Sequence, residues 1–219
     1  MIGTLGRLLR ASSGVAAVEF GLSLPPLLIL GLMGTETANY ALTTMRINEL
    51  ASQIADDASR IGDQSMLQQK KIYESDINDL ITGGKLQAGG LDLLGKGRVI
   101  ISSLEVYPST SNQYIHWQRC KGLKAVTSAY GPAGTGQTGG LAGMGPSGNQ
   151  VTATAGDAVM FVEITYDYQP IVPLNFMPAR TIRTSASFNV RESRDLTQIY
   201  QQDPANPAPV ASCSVYSSS

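Results

Sequence analysis

Histidine, cysteine and the common catalytic motifs are scarce in this chain. Its 219 residues include one histidine, His116, and two cysteines, Cys120 and Cys213. General acid–base catalysis near neutral pH relies most often on histidine, and the sequence contains neither a GxSxG nor a GxxxxGKS/T motif. We therefore interpret His116 as a packed or surface residue, and we expect neither an enzyme nor a bound cofactor.

Charged residues are also few, since they make up 15% of the chain with a formal net charge of −1. Binding to a nucleic-acid backbone requires clustered lysine and arginine, so this composition gives no basis for a nucleic-acid partner. The acids Asp56, Asp57 and Asp63 lack the regular ligand spacing of a calcium loop. A solvated helix face is favoured there, and no metal site is predicted.

Charge is almost absent from residues 15–34, where Glu19 is the only ionisable side chain. Twenty residues of helix extend about 30 Å, which is the thickness of the hydrocarbon core of a bilayer. Arg7 and Arg10 precede the stretch, and the preference of basic residues for the cytoplasmic side predicts a cytoplasmic N-terminus and an external remainder. A carboxylate within such a span costs on the order of 3 kcal/mol and indicates a function.

The small residues Ala11 to Gly14 precede the apolar stretch, whereas a secretory signal peptide has its small-residue cleavage site after it. The basic leader, Gly14, the sequence VAAVEF at 15–20 and the apolar helix resemble class III signal sequences of the type IV pilin superfamily. The resemblance is closest to the TadE-like family of tight-adherence (Tad, or Flp) pilus proteins. Three later segments also resemble TadE-like ectodomains: 115–120, 162–170 and 191–192.

This resemblance implies that a prepilin peptidase cuts between Gly14 and Val15. It also places the characteristic glutamate of the family at Glu19 and the aromatic residue that follows it at Phe20. In a fibre, the Glu19 carboxylate of one subunit would pair with the Val15 amine of its neighbour. The alternative is a Glu19 that lies near the lipid headgroups and stays solvated.

A long helix is predicted for residues 15–61. Pro25 and Pro26 predict a kink in its membrane half, and an amphipathic pattern without glycine or proline follows Gly34. A second helix is expected from Ser65 to residue 80 or 82, ending at Gly83 and Gly84.

Four strands are predicted, at residues 98–107, 114–119, 157–168 and 181–190, from their alternation of apolar and polar side chains. One polar face indicates a sheet that is covered on one side only, by the outer half of the long helix. Cross-strand ion pairs of Glu163 and Asp167 with Arg183 are expected. The predicted fold is α+β: a long N-terminal helix packed on a small antiparallel sheet, as in pilins.

Residues 122–156 contain ten glycines and one charge, Lys124. Such sequence buries little apolar surface, so a long flexible loop is predicted. Cys120 and Cys213 fall in the part expected outside the cytoplasm, where a disulfide is favoured over two buried thiols. The bridge would pin the proline-rich tail to the sheet. The expected organisation is a leader at 1–14, a membrane and stalk helix at 15–61 and a head at 62–219.

The resemblance implies a minor pilin or pseudopilin of a Tad pilus in the bacterial inner membrane, because the major subunits of this family are little more than the helix. Its expected partners are a prepilin peptidase, other Tad subunits, the assembly platform and membrane lipid. One alternative is an uncleaved, anchored adhesion or binding protein that uses residues 131–148 as its contact surface. The other is an anchored hydrolase that uses His116.

Overall fold

The computed structural model describes residues 12–63, 69–172 and 180–218, so most of the predicted leader lies outside the described residues. The helices are α1 (Ser12–Arg60), α2 (Glu74–Gln87) and α3 (Leu93–Lys96). The strands are β1 (Gly97–Val106), β2 (Gln113–Lys121), β3 (Ala158–Asp167) and β4 (Thr181–Asn189). The chain divides into two compact units, one of Met1–Leu42 with Gln169–Met177 and one of Thr43–Tyr168 with Pro178–Ser219.

The part of α1 in the second unit buries one face, through side chains three or four residues apart: Ile47, Leu50, Ala51, Ile54, Ala55 and Ala58. The helix ends before Gly62, whose φ of 125° favours glycine. Arg194, which is buried, donates hydrogen bonds to the carbonyl oxygens of Ala58 (3.2 Å) and Ile61 (2.8 Å). These bonds satisfy acceptors that the end of a helix leaves open. Burial lowers the pKa of Arg194 to about 10.

The second helix differs from its prediction at both ends. Residues 69–73 are not helical, because Lys70 and Tyr73 form isolated bridges with Arg194 and Tyr200. The helix begins after Tyr73, whose N–H donates to Asp76 (3.0 Å), whereas residues 64–68 lie outside the described part. It also continues through Gly83 and Gly84 to Gln87. Gly84 is a packing site rather than a terminator, since a Cβ there would lie 2.6 Å from Cδ1 of Ile54.

The four strands form one antiparallel sheet in the order β2-β1-β3-β4, and each strand lies within two residues of its predicted bounds. The α+β class, with a long helix packed on a small antiparallel sheet, is confirmed. The two predicted ion pairs are wrong. Arg183 lies opposite Thr165 in the register, Asp167 pairs with Lys124 (2.6 Å), and Glu163 accepts from Ser128 and Ala129.

The sheet is covered on both faces at β1, β2 and β3, so the expectation of a single covered face is wrong for these strands, whereas alternate residues of β4 on the second face are exposed. All residues of β1 from Gly97 to Glu105 are buried. On the second face, a cluster of buried side chains joins three strands to the glycine-rich segment: Leu104, Ile115, Met144, Ala153, Val159 and Phe161. Tyr130 lies edge-on against Phe161, with ring centroids 5.2 Å apart. The covering layer is the segment at 122–156.

The premise of the flexible-loop prediction, that residues 122–156 bury little apolar surface, is therefore wrong. Few of these residues are apolar, but those few are placed over the sheet. Backbone hydrogen bonds also join the segment to the edge of β2, including Gly134 N–H to the Ile115 oxygen (2.7 Å) and Leu141 N–H to the Gln113 oxygen (2.8 Å). Glycine permits this approach, because a Cβ at Gly136 would lie 2.3 Å from the Gln113 oxygen.

Cys120 and Cys213 form the predicted disulfide. The tail that it holds runs along the same edge of β2, where the Cys120 N–H donates to Ala211 and the Gly122 N–H donates to Ser217, both at 2.8 Å. Buried Arg98 donates to the carbonyl oxygens of Gly122, Cys213 and Val215. The tail and the glycine-rich segment thus close one edge of the sheet.

Candidate functional site

The apolar helix stretch is the most conspicuous surface of the first unit. Every residue from Gly14 to Thr35 is exposed, including a series of large apolar side chains: Val15, Val18, Phe20, Leu22, Leu27, Leu28, Ile29 and Leu30. By length and composition, α1 can cross a membrane. An exposed apolar surface of this size requires lipid or protein around it.

The four predicted processing and assembly residues all lie on this exposed part of α1. Val15 and Glu19 are four residues apart and therefore share one face of the helix, about 6 Å apart along its axis. A Cβ on Gly14 would meet nothing within 4 Å, and the same holds for Gly21. The fold of this chain does not itself require glycine at position 14, so any such requirement comes from another molecule.

Pro25 and Pro26 lie inside α1, where each lacks the N–H that would bond the carbonyl four residues earlier. Hydroxyl groups in this stretch and just beyond it are satisfied locally. The hydroxyl groups of Thr35 and Thr37 donate to the carbonyl oxygens of Gly31 (3.0 Å) and Met33 (2.8 Å). Such internal bonds are what a helix near hydrocarbon needs.

Glu36 is a second acid beside the apolar stretch, and it was not among the residues predicted to form a site. It is only 2% exposed, and one carboxylate oxygen accepts hydrogen bonds from the N–H groups of Ile171 (3.1 Å) and Val172 (3.0 Å). Both partners belong to the same compact unit as Glu36. An acid two residues beyond a membrane-length apolar stretch was the available signal. Its partner, distant in sequence, could not be identified by pattern.

His116 lies beside a buried carboxylate. Its Nδ1 is 3.0 Å from one oxygen of Glu105 and 3.1 Å from the other. Ser103 donates to Glu105 at 2.5 Å, so the serine and the imidazole contact the same carboxylate rather than each other. Ser103 is fully buried and therefore out of reach of a substrate. Burial, with a contribution from Glu105, raises the pKa of neighbouring Tyr114 to about 12. This geometry adds no support to the hydrolase alternative.

Within the ranges that the structure describes, no group of three or more histidine, cysteine, aspartate or glutamate residues is placed to hold a metal ion. The cluster Asp56, Arg60 and Arg191 is held by ion pairs of Asp56 to both arginines. Asp56 is therefore part of a surface ion-pair cluster, and Asp57 beside it is exposed.

These features define a class: a protein with one membrane-length helix that continues into an α+β head. The model of the TadE-like protein family matches residues 14–56, which include the whole exposed apolar stretch. The N-terminal part of the chain is therefore TadE-like, as its sequence predicts, and this associates the protein with Tad pilus components. No curated protein and no solved structure matches the chain. The resemblance of the three ectodomain segments stays a prediction, because they lie beyond residue 56.

Proposed function

We propose that this protein is a minor pilin or pseudopilin of a Tad-type pilus, that a prepilin peptidase removes its leader, and that it acts in pilus assembly and surface adhesion without enzymatic activity. The observation that carries the proposal is the exposed apolar helix at 15–34, with Glu19 as its only charge, inside the matched family segment. The helix would insert into the inner membrane before assembly. In the fibre it would pack among the helices of other subunits.

Cleavage before Val15 would create an amine about one helical turn from Glu19. Within one chain both charges project along the helix surface, and Glu19 is exposed. In a packed fibre, the carboxylate of an incoming subunit pairs with the amine of its neighbour. Burying one charge without the other is far more costly than burying both together, so the pair fixes the axial position of the subunit.

Processing is tested by mass spectrometry of the N-terminus in the membrane fraction of cells that carry a prepilin peptidase. We expect a chain that begins at Val15, and a Gly14→Leu variant that keeps its leader. Gly21→Leu is the matched control, because neither glycine is crowded in the structure. An intact Met1 start in the unchanged protein would instead support the anchored binding protein.

Assembly is tested by Glu19→Gln, which keeps the size of the side chain and removes its charge. We expect normal processing and normal membrane insertion, but loss of the subunit from the pilus fraction. Glu49→Gln is the control, since Glu49 is an exposed acid on the same helix beyond the apolar stretch. Equal incorporation of both variants would contradict the register role of Glu19.

A further inference from the structure

The connection between β3 and β4 touches α1 where its apolar stretch ends. Glu36 is the first buried side chain along α1, after a continuous run of exposed residues from Gly14 to Thr35. The segment around Ile171 and Val172 contacts it, since two successive N–H groups donate to one carboxylate oxygen. This carboxylate is thus supplied with donors by its own chain and needs no water for them.

The position of Glu36 along the helix agrees with a bilayer boundary. From Val15 to Glu36 the helix rises about 32 Å, close to the roughly 30 Å of hydrocarbon in a bilayer. If the apolar stretch spans the membrane, Glu36 lies at the outer limit of the acyl chains. The hydrogen bonds to Glu36 then hold Ile171 at the same depth.

Ile171 is 62% exposed although it is a large apolar side chain. Residues 169–172 of this connection carry no charge, and its one charged residue, Arg180, directly precedes β4. Exposed apolar surface that continues an exposed membrane-length stretch is most simply covered by the same solvent, the lipid. A charged segment at the outer limit of the acyl chains would move out into water, whereas uncharged residues 169–172 can stay there.

We propose that residues 169–172, which follow β3, form a second membrane contact, in which Ile171 enters the outer interface of the bilayer and Glu36 positions it. The inference rests on the proposed membrane insertion of α1 and adds a lipid-contacting site outside the helix. The partner is the acyl region of a phospholipid bilayer.

The test uses the full chain, with its disulfide intact, reconstituted in vesicles of phosphatidylcholine and phosphatidylglycerol. Ile171→Cys carries an NBD label, and its fluorescence is measured with spin-labelled lipids and with aqueous iodide as quenchers. Leu28→Cys reports on the membrane insertion of α1. Leu123→Cys is the matched control, an apolar head residue that is half exposed and that the structure does not link to the apolar stretch.

We expect the label at 171 to shift to the blue and to be quenched by lipids that carry the spin label near the headgroup, while the label at 123 is quenched by iodide. Adding Glu36→Ala should make the label at 171 accessible to iodide, like the label at 123, and should leave the lipid quenching of the label at 28 unchanged. Glu36→Gln keeps an acceptor oxygen and should retain part of the lipid quenching. The fluorescence of Trp117 checks that the head stays folded.

If lipids quench the label at 28 but iodide quenches the label at 171, this inference is overturned, while the proposal that α1 is a membrane anchor still stands. Iodide quenching at 28 would overturn both. Protection of 171 from both quenchers would show a protein neighbour and refute the lipid contact. Lipid quenching at 171 that Glu36→Ala does not reduce would refute the positioning role of Glu36.

Discussion

Met144 provides the sharpest test of the glycine-rich segment as a structural layer. Its side chain is fully buried in the cluster with Leu104 and Phe161, although it lies in the middle of a segment whose composition predicts a flexible loop. Truncation of a buried methionine to alanine costs about 2–5 kcal/mol through lost burial and a residual cavity. In a domain of roughly 150–250 residues this lowers the melting temperature by about 4–20 °C.

The chain supplies two reference positions for the same substitution. Met160 is fully buried in β3, whereas Met45 is 66% exposed on α1. If residues 122–156 form a packed layer, Met144→Ala should destabilise the head about as much as Met160→Ala, and Met45→Ala should have little effect. The assay is urea and thermal unfolding of the oxidised protein in detergent, followed by the fluorescence of its single tryptophan, Trp117. A Met144→Ala variant as stable as Met45→Ala would refute the packed layer.

Three further predictions concern the head. Gly83→Ala should stabilise it by roughly 1 kcal/mol through helix propensity, whereas Gly84→Ala should cost about 1–3 kcal/mol through overpacking against Ile54, and chemical denaturation compares them. Cys213→Ser opens a disulfide with a sequence separation of 93 and should cost about 4–5 kcal/mol, equal to the effect of reduction. Burial raises the folded-state pKa of Glu163 above its ordinary 4.5. The stability that protonated Glu163 contributes to the folded head is therefore fully present below pH 4.5 and is lost as the pH rises through the folded-state pKa. When the pH is raised from about 4 to about 7, the free energy of unfolding of Glu163→Gln should therefore increase relative to that of the unchanged protein, as measured by denaturant unfolding at both pH values.

The sequence predicted those parts of the fold that depend on local periodicity. The alternation from Met160 to Tyr168 located β3, and the absence of glycine and proline between Gly34 and Gly62 located the outer part of α1. The end of α2 could not be predicted, since Gly84 normally favours termination. Here it permits contact with Ile54, a residue thirty positions away.

The layer that residues 122–156 form over the second face of the sheet was not predicted, for a similar reason. Its composition is poor in apolar residues, but the free energy depends on where those residues lie. Met144 and Ala153 sit over Val159 and Phe161, whose apolar character was a signal that the opposite face of β3 is buried as well. Of the candidate site, Glu19 was found because a charge in an apolar stretch is visible in the sequence. Glu36 was missed because its role depends on hydrogen bonds from Ile171 and Val172, which are far from it in the sequence.

The disulfide between β2 and the tail has a mechanical consequence. The bond closes a loop with a sequence separation of 93, which contains the glycine-rich layer, β3 and β4. At about 3.5 Å per extended residue, this loop represents roughly 330 Å of contour length. Tension applied between α1 and the last residues would pass through the sulfur bridge and bypass all of it. While the bridge is intact, a loaded head can therefore lengthen only by the chain outside the loop.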